Sequence, residues 1–144
     1  MKRVLIDTNT LLSGLFFRGN ERRLLELALD ENIQLVLPEI VEVETREVVQ
    51  RKFLGRKNSK EAAVIFKLIL GLSESVGIEE TKKGILRAKA LIRDESDAPI
   101  LAAALHALPD CLLTGDNDFF HLKGKTPFKK MRVRNFLEET EGRK

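Results

Sequence analysis

At 144 residues and 16.3 kDa, the chain has the length of one domain and enough residues to bury a core unaided. Its 43% hydrophobic and 33% charged residues exclude a disordered chain, and its single cysteine excludes an internal disulfide framework or a cysteine-only zinc site. That cysteine usage indicates a reducing compartment, while the net charge of +3 names no partner by itself.

In chain order, Val4-Leu5-Ile6 reads as a short buried strand ended by Asp7. Three apolar residues fall far short of a signal or membrane segment, so a cytoplasmic, soluble protein is expected. Thr8–Phe17 has helical spacing, with Leu11, Leu12, Leu15 and Phe16 on one side. After Arg18-Gly19-Asn20 a second helix runs from Glu21 to Asp30, with Leu24, Leu25, Leu27 and Ala28 inward. Gln34–Leu37 reads as strand two, stopped by Pro38, and Glu39–Phe53 as a helix. The next helix starts at a Ser59 cap and reaches about Leu72, with Ala63, Phe66, Ile69 and Leu70 inward. Ser75–Glu79 suits a short strand and Thr81–Ile92 a helix. Asp94-Glu95-Ser96 is a polar joint before an apolar helix, Asp97–Ala107. Cys111–Thr114 is a further strand, Met131–Val133 the last strand and Asn135–Glu139 a terminal helix. Strands alternating with helices predict an α/β fold, a parallel sheet covered by helices on both faces, in a single domain over residues 1–144.

Several carboxylates stand beside apolar segments. Asp7 ends the first strand, Asp97 precedes an apolar helix, and Asp116 and Asp118 follow the strand at 111–114. Glu44 shares a helix face with Ile40, Val41 and Val48, the expected inward side, whereas Glu42 groups with Glu39 and Arg46. Ligands of parallel α/β sheets bind beyond the carboxyl ends of the strands. If these acids meet there, their repulsion and desolvation call for a bound cation, and an all-oxygen set favours Mg2+ or Mn2+. Each acid has a plainer reading: Asp7 and Asp97 as helix caps, Asp116 and Asp118 as turn residues, Glu44 paired with Arg51 or Lys52. His106 and His121 lack metal-ligand spacing, Cys111 reads as a core residue, and no dinucleotide fingerprint or P-loop occurs.

Val4-Leu5-Ile6-Asp7-Thr8-Asn9, Glu44, Asp97-Ala98-Pro99-Ile100-Leu101-Ala102-Ala103-Ala104 and Leu113-Thr114-Gly115-Asp116-Asn117-Asp118-Phe119 resemble, in order and over nearly the whole chain, the PIN-domain family of metal-dependent nucleases. The short length looks like the VapC-type toxins and related stand-alone PIN proteins of prokaryotes. The resemblance implies a Rossmann-like three-layer α/β/α sandwich with a roughly five-stranded parallel sheet, and an endoribonuclease that hydrolyses RNA with Mg2+ or Mn2+. By position it implies an acidic quartet of Asp7, Glu44, Asp97 and Asp116, with Asp118 as an additional acid. Asp7, Asp97, Asp116 and Asp118 are then metal ligands, and Asn9 and Thr114 orient the first and last acids. It also implies the toxin of a toxin–antitoxin pair, with an antitoxin protein and a homodimer as partners.

A polyanionic substrate needs a basic approach. Arg51, Lys52, Arg56, Lys57 and Lys60 form one acid-free stretch, and Lys123, Lys125, Lys129, Lys130, Arg132 and Arg134 another. Arg51, Lys52, Arg56, Lys57, Lys123 and Lys125 are the candidate nucleic-acid contacts, against the reading of ordinary solvated faces. Phe119 and Phe128 either stack bases or pack inside, and the apolar helices at 8–30 either form core or offer surface to a partner. Residue types do not separate RNA from DNA. A non-catalytic RNA-binding module on the same fold is the main alternative. A phosphotransferase with Asp7 as nucleophile is a third, weakened by Asn9 where a second acid is expected.

Overall fold

The computed structural model describes residues 1–142. Its centre is a sheet of five parallel strands: β1 (Arg3–Ile6), β2 (Gln34–Pro38), β3 (Glu74–Val76), β4 (Cys111–Leu113) and β5 (Lys129–Met131). The spatial order is β3-β2-β1-β4-β5. The chain therefore builds outward from β1 on one side, then crosses over and builds outward on the other. Connections diverge beyond the carboxyl ends of β1 and β4, which leaves a crevice there.

Successive strand side chains point to opposite faces. Val4, Ile6, Leu35, Leu37, Cys111 and Leu113 enter one core, and Leu5, Val36 and Leu112 the other. The first core is covered by α1 (Thr8–Phe16), α2 (Asn20–Leu29), α3 (Glu39–Val48), α4 (Ser59–Leu72) and α8 (Val133–Glu141). The second is covered by α6 (Ile85–Leu91) and α7 (Ala98–Ala107), with α5 (Ile78–Lys83) against α7. The result is the expected three-layer sandwich. Among the described residues no helix is long and apolar enough to cross a membrane.

The local departures have local causes. The helix expected over 81–92 is two helices, broken at Gly84, whose Cα lies where a side chain would come within 3.4 Å of Ala102 on α7. The break thus falls on a poor helix former that packs in ordinary contact with α7. β3 starts at Glu74 rather than Ser75 and stops at Val76, because its partner on β2 spans only Val36–Pro38. The last strand lies two residues before the expected Met131–Val133, paired to Cys111–Leu113, and Val133 already opens α8. α4 buries Ala62, Phe66 and Ile69, while Ala63 is exposed. Asn58, not Ser59, holds the cap position, and its amide donates to the Phe16 carbonyl at 2.7 Å. α3 ends at Val48 and widens into a π-helical turn over Val49–Phe53, where Phe53 stacks on Phe16 with ring centroids 4.1 Å apart.

The apolar helices α1 and α2 resolve as core: Leu11, Leu12, Leu15, Phe16, Leu24, Leu25 and Leu27 are all buried. They cross at Gly14, where an added Cβ would lie 2.6 Å from Leu25 Cδ1 and 2.9 Å from the Glu21 carbonyl oxygen. Arg22 seals the crossing by donating to the carbonyls of Gly14 (2.6 Å) and Leu15 (3.0 Å). Gly14→Ala therefore forces the two backbones apart and should lower stability by about 1–3 kcal/mol, an overpacking effect read by urea denaturation. Unchanged stability would contradict this contact.

Candidate functional site: an acidic cleft at the carboxyl ends of the strands

β1 delivers Asp7 to the carboxyl edge of the sheet. Its Oδ1 accepts from the Thr10 amide at 2.9 Å, so Asp7 does cap α1. Its Oδ2 accepts from the Thr114 hydroxyl at 2.6 Å, across 107 residues of sequence. Thr114 follows β4 and is completely buried. The same hydroxyl oxygen accepts from the Asp116 amide at 3.0 Å. Asp116 Oδ1 in turn accepts from the Asp118 amide at 2.9 Å, opening a short 3-10 turn over Asn117–Phe120. The cap and turn readings of Asp7 and Asp116 are therefore true, and both residues still face one cleft.

Asp97 behaves differently. It stands at the cap position of α7, but its side chain makes no capping bond. That task in the preceding 3-10 turn (Glu95–Asp97) falls to Asp94, which accepts from the Ser96 amide and hydroxyl. The Asp97 carboxyl turns toward Asp116 instead, and its Oδ2 is buried with no hydrogen-bond partner. Burial, the bond shared with Asp116, and the charges of Asp116, Asp94 and Asp118 push its pKa up to about 7.

Asp7, Asn9, Glu44, Asp97 and Asp116 all line one cleft of about 340 Å3, floored by Ile40, Ile100 and Phe119. Four separate elements supply the acids. Glu44 reaches the cleft from α3 but is exposed rather than inward; the buried stripe of α3 is Val41 and Thr45. Glu42 lies on another side, paired with Arg46 at 3.1 Å. Asp118 does not line the cleft. Its carboxylate joins Asp97 and Asp94 in a group whose nearest oxygens lie within 4.8 Å of one another. Arg93 pairs with Asp118 at 2.7 Å from the solvent side. Arg132 donates to the Gly115 carbonyl and to Asn117 Oδ1, and its guanidinium sits 4.5 Å from the Phe120 ring centroid. Sequence reasoning does not single out Asp94, Arg93 or Arg132 as parts of this site. Asp94 carries a signal, three residues before Asp97, whereas Arg132 reaches the loop only through the fold.

The donors lining the cleft fit a hard divalent cation: carboxylate oxygens without a thiolate or imidazole among the described residues, and one buried oxygen on Asp97 that nothing among them satisfies. Other candidates fall elsewhere. Arg51, Lys52, Arg56 and Lys57 are exposed and none borders the cleft. Lys123 is exposed and its amide bonds the Leu91 carbonyl, and Lys125 edges a shallow depression with Phe128–Met131 that shares no residue with the cleft. Phe119 and Phe128 are buried, which removes them as base-stacking surfaces. His106 and His121 are exposed outside the cleft, and Cys111 is a core residue whose thiol pKa burial pushes up to about 11.

Two measurements check this geometry. Thr114→Val keeps shape but removes both hydroxyl bonds; it should cost about 1–3 kcal/mol in denaturant unfolding, with Thr114→Ser close to the parent. Asp97 binds its proton more tightly in the folded than in the unfolded chain, so stability falls as pH rises between about 4 and 7 and stays lost above. In EDTA, Asp97→Asn should therefore melt higher than the parent at pH 8, with the difference closing toward pH 4.

Comparison with known proteins agrees with this architecture. The family model of the PIN domain matches residues 3–118, a range that takes in Asp7, Glu44, Asp97, Asp116 and Asp118. No curated protein matches the chain. Among solved structures, a chain of VapBC2 from Rickettsia felis, in a complex bound to a DNA fragment from their promoter, superposes with a TM-score of 0.64 at 16% identity, covering 89% of this chain and 96% of that one. A chain of FitAcB from Neisseria gonorrhoeae gives 0.55 at 20% identity, covering 91% and 98%. At such identities the likeness is one of fold. The family match across most of the chain, on a sheet that sets its acids around one cleft, makes this protein a member of the PIN-domain family.

Proposed function

We propose that the protein is an endoribonuclease that depends on Mg2+ or Mn2+ and acts as a VapC-type toxin. The observation that carries the proposal is the meeting of Asp7, Glu44, Asp97 and Asp116 in one cleft, with Asp97 Oδ2 buried and unpartnered. Such an arrangement is electrostatically unfavourable for a protein that holds nothing there.

A divalent ion bound in the cleft would supply Lewis acidity toward the phosphate and ease deprotonation of the attacking water. The protein supplies the rest. Thr10 and Thr114 fix the Asp7 carboxylate, and the Asx bond to Asp118 fixes Asp116, so both present rigid oxygens. Asp97 adds an oxygen that must lose its proton when a cation arrives. Asp118 supports this group from behind, held by Arg93. Glu44, exposed and lining the cleft, is read as the acid that would orient the attacking water or hold a second ion. Asn9 lines the cleft beside Asp7 and is read as a polar contact to the substrate. A nucleophilic role for Asp7 is disfavoured, because Asn9 stands where such chemistry expects a second acid.

The partner reading follows the relatives, which are described as VapBC2 and FitAcB assemblies. An apolar groove of about 470 Å3 between α1, α3 and α4, with Arg46 and Lys67 beside it, suits an antitoxin segment. The exposed Val64, Leu68 and Leu72 on α4 form a stripe that a second copy would cover in a homodimer.

Labelled RNA incubated with EDTA, Mg2+ or Mn2+ tests the proposal. Cleavage should require the metal and fall by at least about a hundredfold in Asp7→Asn and Asp116→Asn proteins that retain the parent circular-dichroism spectrum. Equal cleavage by these variants would overturn it. RNA binding with no cleavage under any metal would favour the non-catalytic module.

A further inference from the structure

Phe119 and Phe128 are buried, but another ring is not. Phe17, just past the end of α1, is 53% exposed. Its neighbour Phe53 meets it edge-on at 6.4 Å and stacks on Phe16 behind it at 4.1 Å. The Arg56 guanidinium lies 5.8 Å from the Phe17 centroid and 5.0 Å from that of Phe53. Three rings and a guanidinium thus form a supported platform with one ring open to solvent. Arg18, Arg51, Lys52, Lys57 and Lys60 are exposed in the flanking segments, and no acid occurs from Arg51 to Lys60.

Such a platform has the chemistry for an unpaired nucleobase. Aromatic and guanidinium faces stack any base, and surrounding cations hold the phosphates. A duplex hides its base faces and cannot use the open ring. The platform is also joined to the acids by rigid rails. α1 begins at Asp7 and leads to Phe17, ten residues or about 15 Å at helical rise. α3 carries Glu44 to the cleft and continues through the π-turn to Phe53. The widened turn brings the second rail's aromatic onto the first.

We infer that Phe17, with Arg56 and Phe53, is a stacking exosite for an unpaired base of single-stranded RNA, set at a fixed distance from the acidic cleft. It selects unpaired over duplex RNA and fixes the register between the anchored base and the bond brought to the acids. The identity of the strand rests on the ribonuclease reading; the stacking chemistry does not. Charge complementarity with a strand that carries one anion per nucleotide favours RNA over an apolar partner here.

The test is binding in EDTA, where cleavage plays no part. The chain has no Trp or Tyr, so fluorescence of 2-aminopurine placed in a short single-stranded RNA reports base stacking without interference. The parent should quench the probe and bind it. Phe17→Leu, which keeps an apolar side chain but no ring, should bind roughly tenfold more weakly and lose the quenching. Phe17→Trp should restore both, and Arg56→Lys should weaken quenching more than affinity because it keeps the charge and loses the planar face. Thermal unfolding of each variant checks the fold. Parent-like affinity and quenching in Phe17→Leu would overturn the inference. So would equal loss of duplex RNA binding in that variant, or displacement of the RNA by poly-glutamate with the same dependence on Phe17, which would identify an acidic protein surface as the occupant. If Phe17-dependent binding holds while Mn2+ yields no cleavage, the nuclease proposal fails and the exosite stands. Cleavage together with Phe17-independent binding keeps the nuclease proposal and removes the exosite.

Discussion

The buried hydroxyl of Thr114 joins two halves of the chain that are otherwise far apart in sequence. It donates to Asp7 at the end of β1 and accepts from the amide of Asp116 beyond β4. β1 and β4 are neighbours at the switch point of the sheet, so this one side chain ties together the two strand ends between which the cleft opens. A hydrogen bond to a carboxylate inside a protein is stronger than one in water. It fixes one oxygen of Asp7, as the Thr10 amide fixes the other.

The remaining architecture serves to keep like charges near one another. Among the described residues, no basic side chain lines the cleft itself. Arg93 and Arg132 act from outside, one on Asp118 and one on the backbone of the loop that carries Asp116. Arg93 pairs with Asp118, and neither arginine lines the cleft beside Asp7, Glu44, Asp97 and Asp116. Asp97 carries a raised pKa, with burial as the largest cause, followed by the bond with Asp116 and the charges of Asp116, Asp94 and Asp118. The net charge of +3 is thus a sum over segregated parts: several acids gathered at the sheet edge, and two acid-free basic stretches that do not line the cleft, although Arg132 of the second braces its loop.

Much of this is legible in the sequence because the signals are local. Short apolar runs ended by Asp7 and Thr114 mark buried parallel strands and their carboxyl ends, and the position of those ends brings the acids to one edge. Most element types are readable, whereas the start of α5 inside the expected strand, the π-turn after α3 and the boundaries at β3, β5 and Gly84 are not. The two strand boundaries are set by the strand lying alongside: β2 limits β3 and β4 limits β5. The face taken by Glu44 also follows from packing. Helical periodicity groups it with Ile40, Val41 and Val48, but of these only Val41 is buried, alongside Thr45, and Glu44 is left exposed at the cleft.

The sequence alone determined the fold class and the residues available for chemistry, since strand and helix formers, caps and acids act within a few positions of one another. Only the tertiary structure decided which acid would be strained and which ring would be open. Asp97 is perturbed first by its burial and then by Asp116, Asp94 and Asp118, two of which arrive from beyond β4. Phe119 is covered by α7 and its neighbours in the second core, while Phe17, equally apolar, escapes burial where α1 ends above the π-turn. Burial and charge proximity depend on what packs against a residue, and that partner is usually distant in the chain.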